Sequence, residues 1–117
     1  MITLPIKKQW FDMIAAGVKK EEYREIKTYY TTRIATEIGE SPQITFFALK
    51  AGRETKEFIV KFVNGYGNNR PCFYADCSIV VKTGRKEWGA VPGTEYYAFR
   101  IINLYQYNPE ETVAAPK

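Results

Sequence analysis

The chain has 117 residues, 45% of them hydrophobic and 26% charged, which suits one compact domain that buries a core without a metal or disulfide staple. Its formal net charge is +4 and it contains no histidine. The charge is compatible with a polyanionic partner, and the missing histidine excludes histidine triads, histidine general bases and histidine metal ligands from this chain.

In chain order, Ile2 to Leu4 predicts a short strand that Pro5 ends. Lys7 to Ala16 predicts a helix, because Trp10 and Ile14, and Phe11 and Ala15, are each four apart and form one apolar stripe. Gly17 is its stop. Next comes an extended segment, Lys19 to Ile26, in which six of the seven residues from Lys19 to Glu25 are charged. Strict alternation places Lys20, Glu22 and Arg24 on one face, and Lys19, Glu21, Tyr23 and Glu25 on the other. Neither face is apolar, so either the strand is a solvated edge with cross-strand ion pairs or one charged row lines a polar cleft.

Thr28 to Ile38 predicts a second helix, with Tyr30, Ile34 and Ile38 on one stripe and Gly39 after it. Ile44 to Leu49, a continuous apolar run between Pro42 and Gly52, reads as a strand. Glu57 to Val63 alternates as another strand, and residues 64 to 69, Asn-Gly-Tyr-Gly-Asn-Asn, form a loop. Phe73 to Lys82 and Tyr96 to Tyr107 complete the strands, and Asn108 to Lys117 reads as a flexible tail. Six strands and one or two helices predict an α+β fold: a small, mostly antiparallel β-barrel over residues 1 to 107, with helices covering a cleft.

Cys72 and Cys77 cannot complete a zinc site alone and read as a reduced structural pair. No metal or cofactor is expected. Lys7, Lys8 and Gln9 interrupt any signal-peptide core, and no apolar run has membrane-spanning length. The expectation is a monomeric cytoplasmic protein with no membrane partner.

The candidate binding chemistry centres on the charged strand. Glu22 and Arg24, two apart on one face, have Cα atoms about 6 to 7 Å apart. Glu22 could therefore orient the Arg24 guanidinium toward a phosphate or base edge. Lys19 follows directly on the turn at Gly17, so alternation does not fix its direction. It could supply a point charge for phosphate or, if desolvated, a base. Tyr66 and Trp88 lie in glycine-rich loops, where they either stack on unpaired bases or pin their loops to the barrel. Lys7, Lys8, Arg70, Arg85 and Lys86 form either a basic rim or a set of solubilising surface charges.

The run Leu4-Pro5-Ile6-Lys7-Lys8-Gln9-Trp10-Phe11, then Ile14, then Gly17, Lys19, Glu22 and Arg24 as G-x-K-x-x-E-x-R, resembles the ASCH domain family of the PUA-like superfamily. Asn64-Gly65-Tyr66, Glu87-Trp88-Gly89-Ala90 and Tyr96 to Ile101 are similar to a subgroup common in bacteria and their phages. The resemblance spans roughly residues 1 to 107. It implies a six-stranded PUA-like barrel and an RNA- or nucleotide-binding cleft into which Lys19, Glu22 and Arg24 project.

Some members are enzymes. One group deacylates N-acetylated cytidine with a Lys, a Thr and a Glu, and another is a ribonuclease. Here the Lys falls on Lys19, but Glu22 stands where the nucleophilic Thr belongs, and no motif places the catalytic Glu. This speaks against that deacylation while leaving a water-based hydrolase with Lys19 and Glu22 as its catalytic pair. A protein-interaction module is the remaining alternative.

Overall fold

The computed structural model describes residues 1–66 and 70–106. Its elements run β1 (Ile2–Ile6), α1 (Lys8–Ala15), β2 (Glu21–Arg24), α2 (Thr28–Ile38), α3 (Pro42–Lys50), β3 (Phe58–Asn64), β4 (Cys72–Thr83) and β5 (Glu95–Gln106), with a short 3-10 turn at Lys86–Trp88. The expected tail at 108–117, and Asn68 and Asn69 of the predicted loop, lie outside the described residues.

The five strands form one mixed sheet in the order β1-β3-β4-β5-β2. β1 runs parallel to β3, and the other pairs are antiparallel. The sheet curls into a half-barrel. Its inner face carries Ile2, Leu4 and Ile6 of β1, Val60 and Phe62 of β3, Phe73, Ala75, Cys77 and Ile79 of β4, and Tyr97 and Phe99 of β5. Ile14 of α1, Ile34 of α2 and Leu49 of α3 join them in one apolar core. The fold is therefore α+β, with three helices against a curled sheet.

Two expectations are corrected. Ile44 to Leu49 is not a strand but most of α3, which leaves five strands among the described residues instead of six. The Ser41 side chain accepts the Ile44 N–H at 3.2 Å and Pro42 occupies the first turn, a pairing that starts a helix. Thr45 and Leu49, four apart, are the buried residues of this helix, while Ile44 and Phe47 are exposed. An apolar run with no alternation fits both secondary structures, and the cap decides. Pro5 also does not end β1, which continues to Ile6. β1 is an edge strand that pairs only with β3, so the missing proline N–H costs it no ladder bond.

Both cysteines are free thiols. Burial, reinforced by the neighbouring Asp76 carboxylate, pushes the Cys77 thiol up to about 12. It behaves as a core methylene-sized filler, not as a nucleophile.

Candidate functional site

The charged segment takes its course from the end of α1. Gly17, at φ +76°, adopts the left-handed conformation that side chains disfavour. The Gly17 N–H donates to the Ile14 carbonyl and the Val18 N–H to the Met13 carbonyl, the bond pair of a Schellman stop. The Lys19 N–H also donates to Met13. The chain is therefore still bound to the helix at Lys19, and strand alternation begins only at Glu21.

This overturns the expected grouping of Lys20 with Glu22 and Arg24. Lys20 is exposed and lines a different groove, with Glu21. The Lys19 side chain turns instead to Glu22, with its Nζ 3.2 Å from Oε1.

β2 pairs with β5 so that Glu22 stands opposite Phe99 and Arg24 opposite Tyr97. Both charged residues thus point to the inner, apolar side of the half-barrel. They are tolerated because β1 and β2 are the two edges of the sheet, and the curl brings those edges together. Arg24 crosses the gap, and its Nη2 donates to the Pro5 carbonyl of β1 at 2.8 Å. Nε and Nη2 both donate to Glu22 Oε2, at 3.0 and 2.8 Å, and Nη1 donates to the Tyr30 hydroxyl at 3.0 Å. A side chain therefore closes the seam that strand pairing leaves open.

Four of Arg24's five N–H groups are thus engaged. The expected free fork aimed at a phosphate is not there; one N–H remains without a partner among the described residues. Burial works against the Arg24 charge, but Glu22 and the Tyr30 hydroxyl outweigh it and hold its pKa above the ordinary value.

Lys19 is 1% exposed. Its ammonium donates to the Trp88 carbonyl and lies 5.1 Å from the Trp10 ring centroid and 5.0 Å from that of Tyr23. Glu22 and Tyr23 face opposite sides of the sheet, so the ammonium sits against the unpaired edge of β2. Lys19 is consequently enclosed behind the cleft and cannot touch a ligand phosphate as expected. Burial pushes its pKa below the ordinary 10.5, against the opposing pull of Glu22.

The folded chain therefore gives up this proton more readily than the unfolded chain. Between Lys19's folded value and 10.5 the unfolded state binds more protons, so this residue's contribution to stability rises with pH. Lys19→Met removes that slope. Denaturation midpoints of the two proteins, followed from about pH 7 to 10, will move in favour of the wild type as pH rises; a pH-independent difference would show an unperturbed lysine.

The cleft itself, of about 350 Å³, is lined by Pro5, Ile6, Lys7, Trp10, Glu22, Arg24, Gly65 and Tyr66. Tyr66 is 81% exposed. Arg70 packs closely over Gly65, where a Cβ would come within 2.9 Å of its Nη2. Of the expected site residues, Glu22, Arg24, Lys7 and Tyr66 line the cleft, and Arg70 lies beside it.

Lys8 does not line it, because it pairs with Asp12 one helical turn on, at 2.6 Å. Trp88 does not line it either. Its carbonyl holds Lys19, and the Arg85 guanidinium lies 4.6 Å from its ring centroid.

Two residues of the site were read from sequence only as helix packing. Trp10 lines the cleft, touches the Lys19 charge and packs against Gly89. Tyr30 holds Arg24. A tryptophan directly after Lys7-Lys8-Gln9 was the available signal for the first, and nothing local marked the second.

Among the described residues, no group of three or more Asp, Glu or Cys is placed to hold a metal ion. No helix among them is long and apolar enough to cross a membrane. No protein-family model, curated protein or solved structure matches this chain.

Proposed function

We propose that this chain is a cytoplasmic, ASCH-type domain of PUA-like architecture that binds RNA or a nucleotide in the cleft at the barrel seam. The observation that carries the proposal is the charge of the buried cluster. Lys19 and Arg24 share the single Glu22 carboxylate, so one positive charge is left uncompensated directly beneath a cleft with aromatic walls. A ligand that is both anionic and aromatic answers both features, and a nucleotide is such a ligand.

In this reading the base stacks on Tyr66 and Trp10. Glu22 receives three hydrogen bonds or ion-pair contacts from Arg24 and Lys19, which leaves about one acceptor position of a carboxylate's four. That position takes an exocyclic amine of the base, and the one remaining Arg24 N–H takes a carbonyl. Lys7 and Arg70 attract the phosphates from the rim. Lys19 acts at a distance, as fixed positive charge. The G-x-K-x-x-E-x-R resemblance agrees, since Gly17 sets the exit from α1, and Lys19, Glu22 and Arg24 form one connected cluster.

The test is binding of a panel of nucleotides and short single-stranded RNAs, read by tryptophan fluorescence. At least one should bind with an affinity that falls several-fold between about 50 and 200 mM salt. Absence of salt-sensitive affinity across the panel overturns the reading.

A hydrolase is the second reading, favoured by the lowered pKa of Lys19 beside Glu22. In it Glu22 activates a water and takes up its proton, and Lys19 positions the Glu22 carboxylate from behind the cleft. Product release from acetylated nucleosides or RNA, lost in Lys19→Ala, would establish it.

A further inference from the structure

β2 separates two concave surfaces. Glu22 faces the cleft, and Glu21, its neighbour on the opposite face, borders a second groove of about 310 Å³. Four cationic side chains line this groove: Lys20, Lys82, Arg85 and Arg100, together with Trp88. They come from three separate parts of the chain, the start of β2, the end of β4 with the turn after it, and the middle of β5. The strand register brings them together, since Glu21 stands opposite Arg100.

The carboxylates around them are accounted for. Lys82 pairs with Glu21 at 2.8 Å, Arg100 with Glu54 at 3.2 Å, and Arg85 with Glu87 at 3.7 Å. The Arg100–Glu54 and Arg85–Glu87 pairs are exposed on both sides, and ion pairs this exposed contribute little to stability, so both arginines can exchange their carboxylate for a better anion at small cost. Lys82 stays with Glu21, whose carboxylate is buried. Lys20 is exposed and has no side-chain partner among the described residues. Arg85 lies over the Trp88 ring, 4.6 Å from its centroid, and its Nε reaches Glu87 only at 3.7 Å, which leaves guanidinium N–H groups for a phosphate contact.

We propose that this groove is a second, phosphate-binding site, distinct from the cleft. Its ligand is a phosphate group, either of a small diphosphate or of an RNA backbone. The density of charge decides for phosphate over a single carboxylate: a spare lysine, an arginine held over Trp88 and the loosely paired Arg100 face one space, which matches a multiply charged, tetrahedral group. The site stands whether or not the cleft binds a base.

The full chain is titrated with sodium pyrophosphate, and separately with a ten-nucleotide oligouridylate RNA, and followed by heteronuclear NMR. Saturable shifts are expected at Lys20, Arg85 and Arg100. Affinity is expected to fall about tenfold in Lys20→Glu and severalfold in Arg85→Ala. Saturation by pyrophosphate identifies a small phosphate ligand. Shifts at the same residues with RNA alone identify a strand backbone. Shifts confined to Lys7 and Arg70, wild-type affinity in both groove variants, or no binding of either probe overturns the proposal.

Discussion

Glu22→Gln is expected to lose about 3–5 kcal/mol of folding stability, the range for removing one partner of a buried ion pair. Glu22 is 7% exposed and is the carboxylate shared by Lys19 and Arg24. Its neutral amide would leave the buried Lys19 ammonium and the Arg24 guanidinium without their shared counter-charge. The loss also reaches the bridge between β1 and β2, because Glu22 fixes the guanidinium that donates to Pro5. Lys19→Met is expected to cost less, since Glu22 loses one contact but retains Arg24, and the Trp88 carbonyl loses its donor.

A few kcal/mol is a large share of a small domain's total stability, so a urea titration separates these variants clearly. A Glu22→Gln cost below about 1 kcal/mol, or one no larger than that of Lys19→Met, would mean that the cluster is better solvated than its burial indicates.

The fold was legible wherever one residue face is buried. Phe58, Val60 and Phe62, and Tyr97, Phe99 and Ile101, alternate as β3 and β5 require, and both strands lie within a residue or two of their expected bounds. α2 matches its expectation from Thr28 to Ile38. Ile44 to Leu49 failed because an apolar run without alternation has no period to read. Its secondary structure is set by a hydrogen bond from Ile44 to Ser41, outside the run. The strand count failed with it.

The site was legible in its members and not in their directions. Lys19, Glu22 and Arg24 are the residues that form the cluster, with Gly17 setting the exit from α1, and the pairing of Glu22 with Arg24 follows from their spacing alone. The role of Arg24 does not. Its donors go to Pro5 and Tyr30, which are 19 and 6 residues away, and only the curl of the sheet brings Pro5 within reach. Lys19 shows the same limit. A free ammonium and one enclosed by the Trp88 carbonyl, 69 residues away, are the same letter in sequence. Trp10 was misread for the complementary reason: an aromatic on an apolar helix stripe is counted as core, although here its ring faces both the buried charge and the cleft.

Tyr66→Ala is the variant that separates binding from folding. The ring is 81% exposed at the mouth of the cleft, and among the described residues it makes none of the ring–ring or cation–ring contacts that hold Trp10, Tyr23 and Tyr30. Its removal should therefore leave the denaturation midpoint within about 0.5 kcal/mol of the wild type. If the base of a nucleotide stacks on it, affinity should fall by about 1–3 kcal/mol, roughly five- to 150-fold. Tyr66→Phe keeps the ring and should keep most of the affinity.

The salt dependence of the residual binding should persist in Tyr66→Ala, because the phosphate attraction belongs to Lys7 and Arg70. Three outcomes can then be told apart. Lost affinity with unchanged stability places the base on Tyr66. Lost affinity in both Tyr66→Ala and Tyr66→Phe assigns the contact to the hydroxyl and removes the stacking argument. Unchanged affinity in both moves the base away from this loop, and with it the case for the cleft as a nucleotide site.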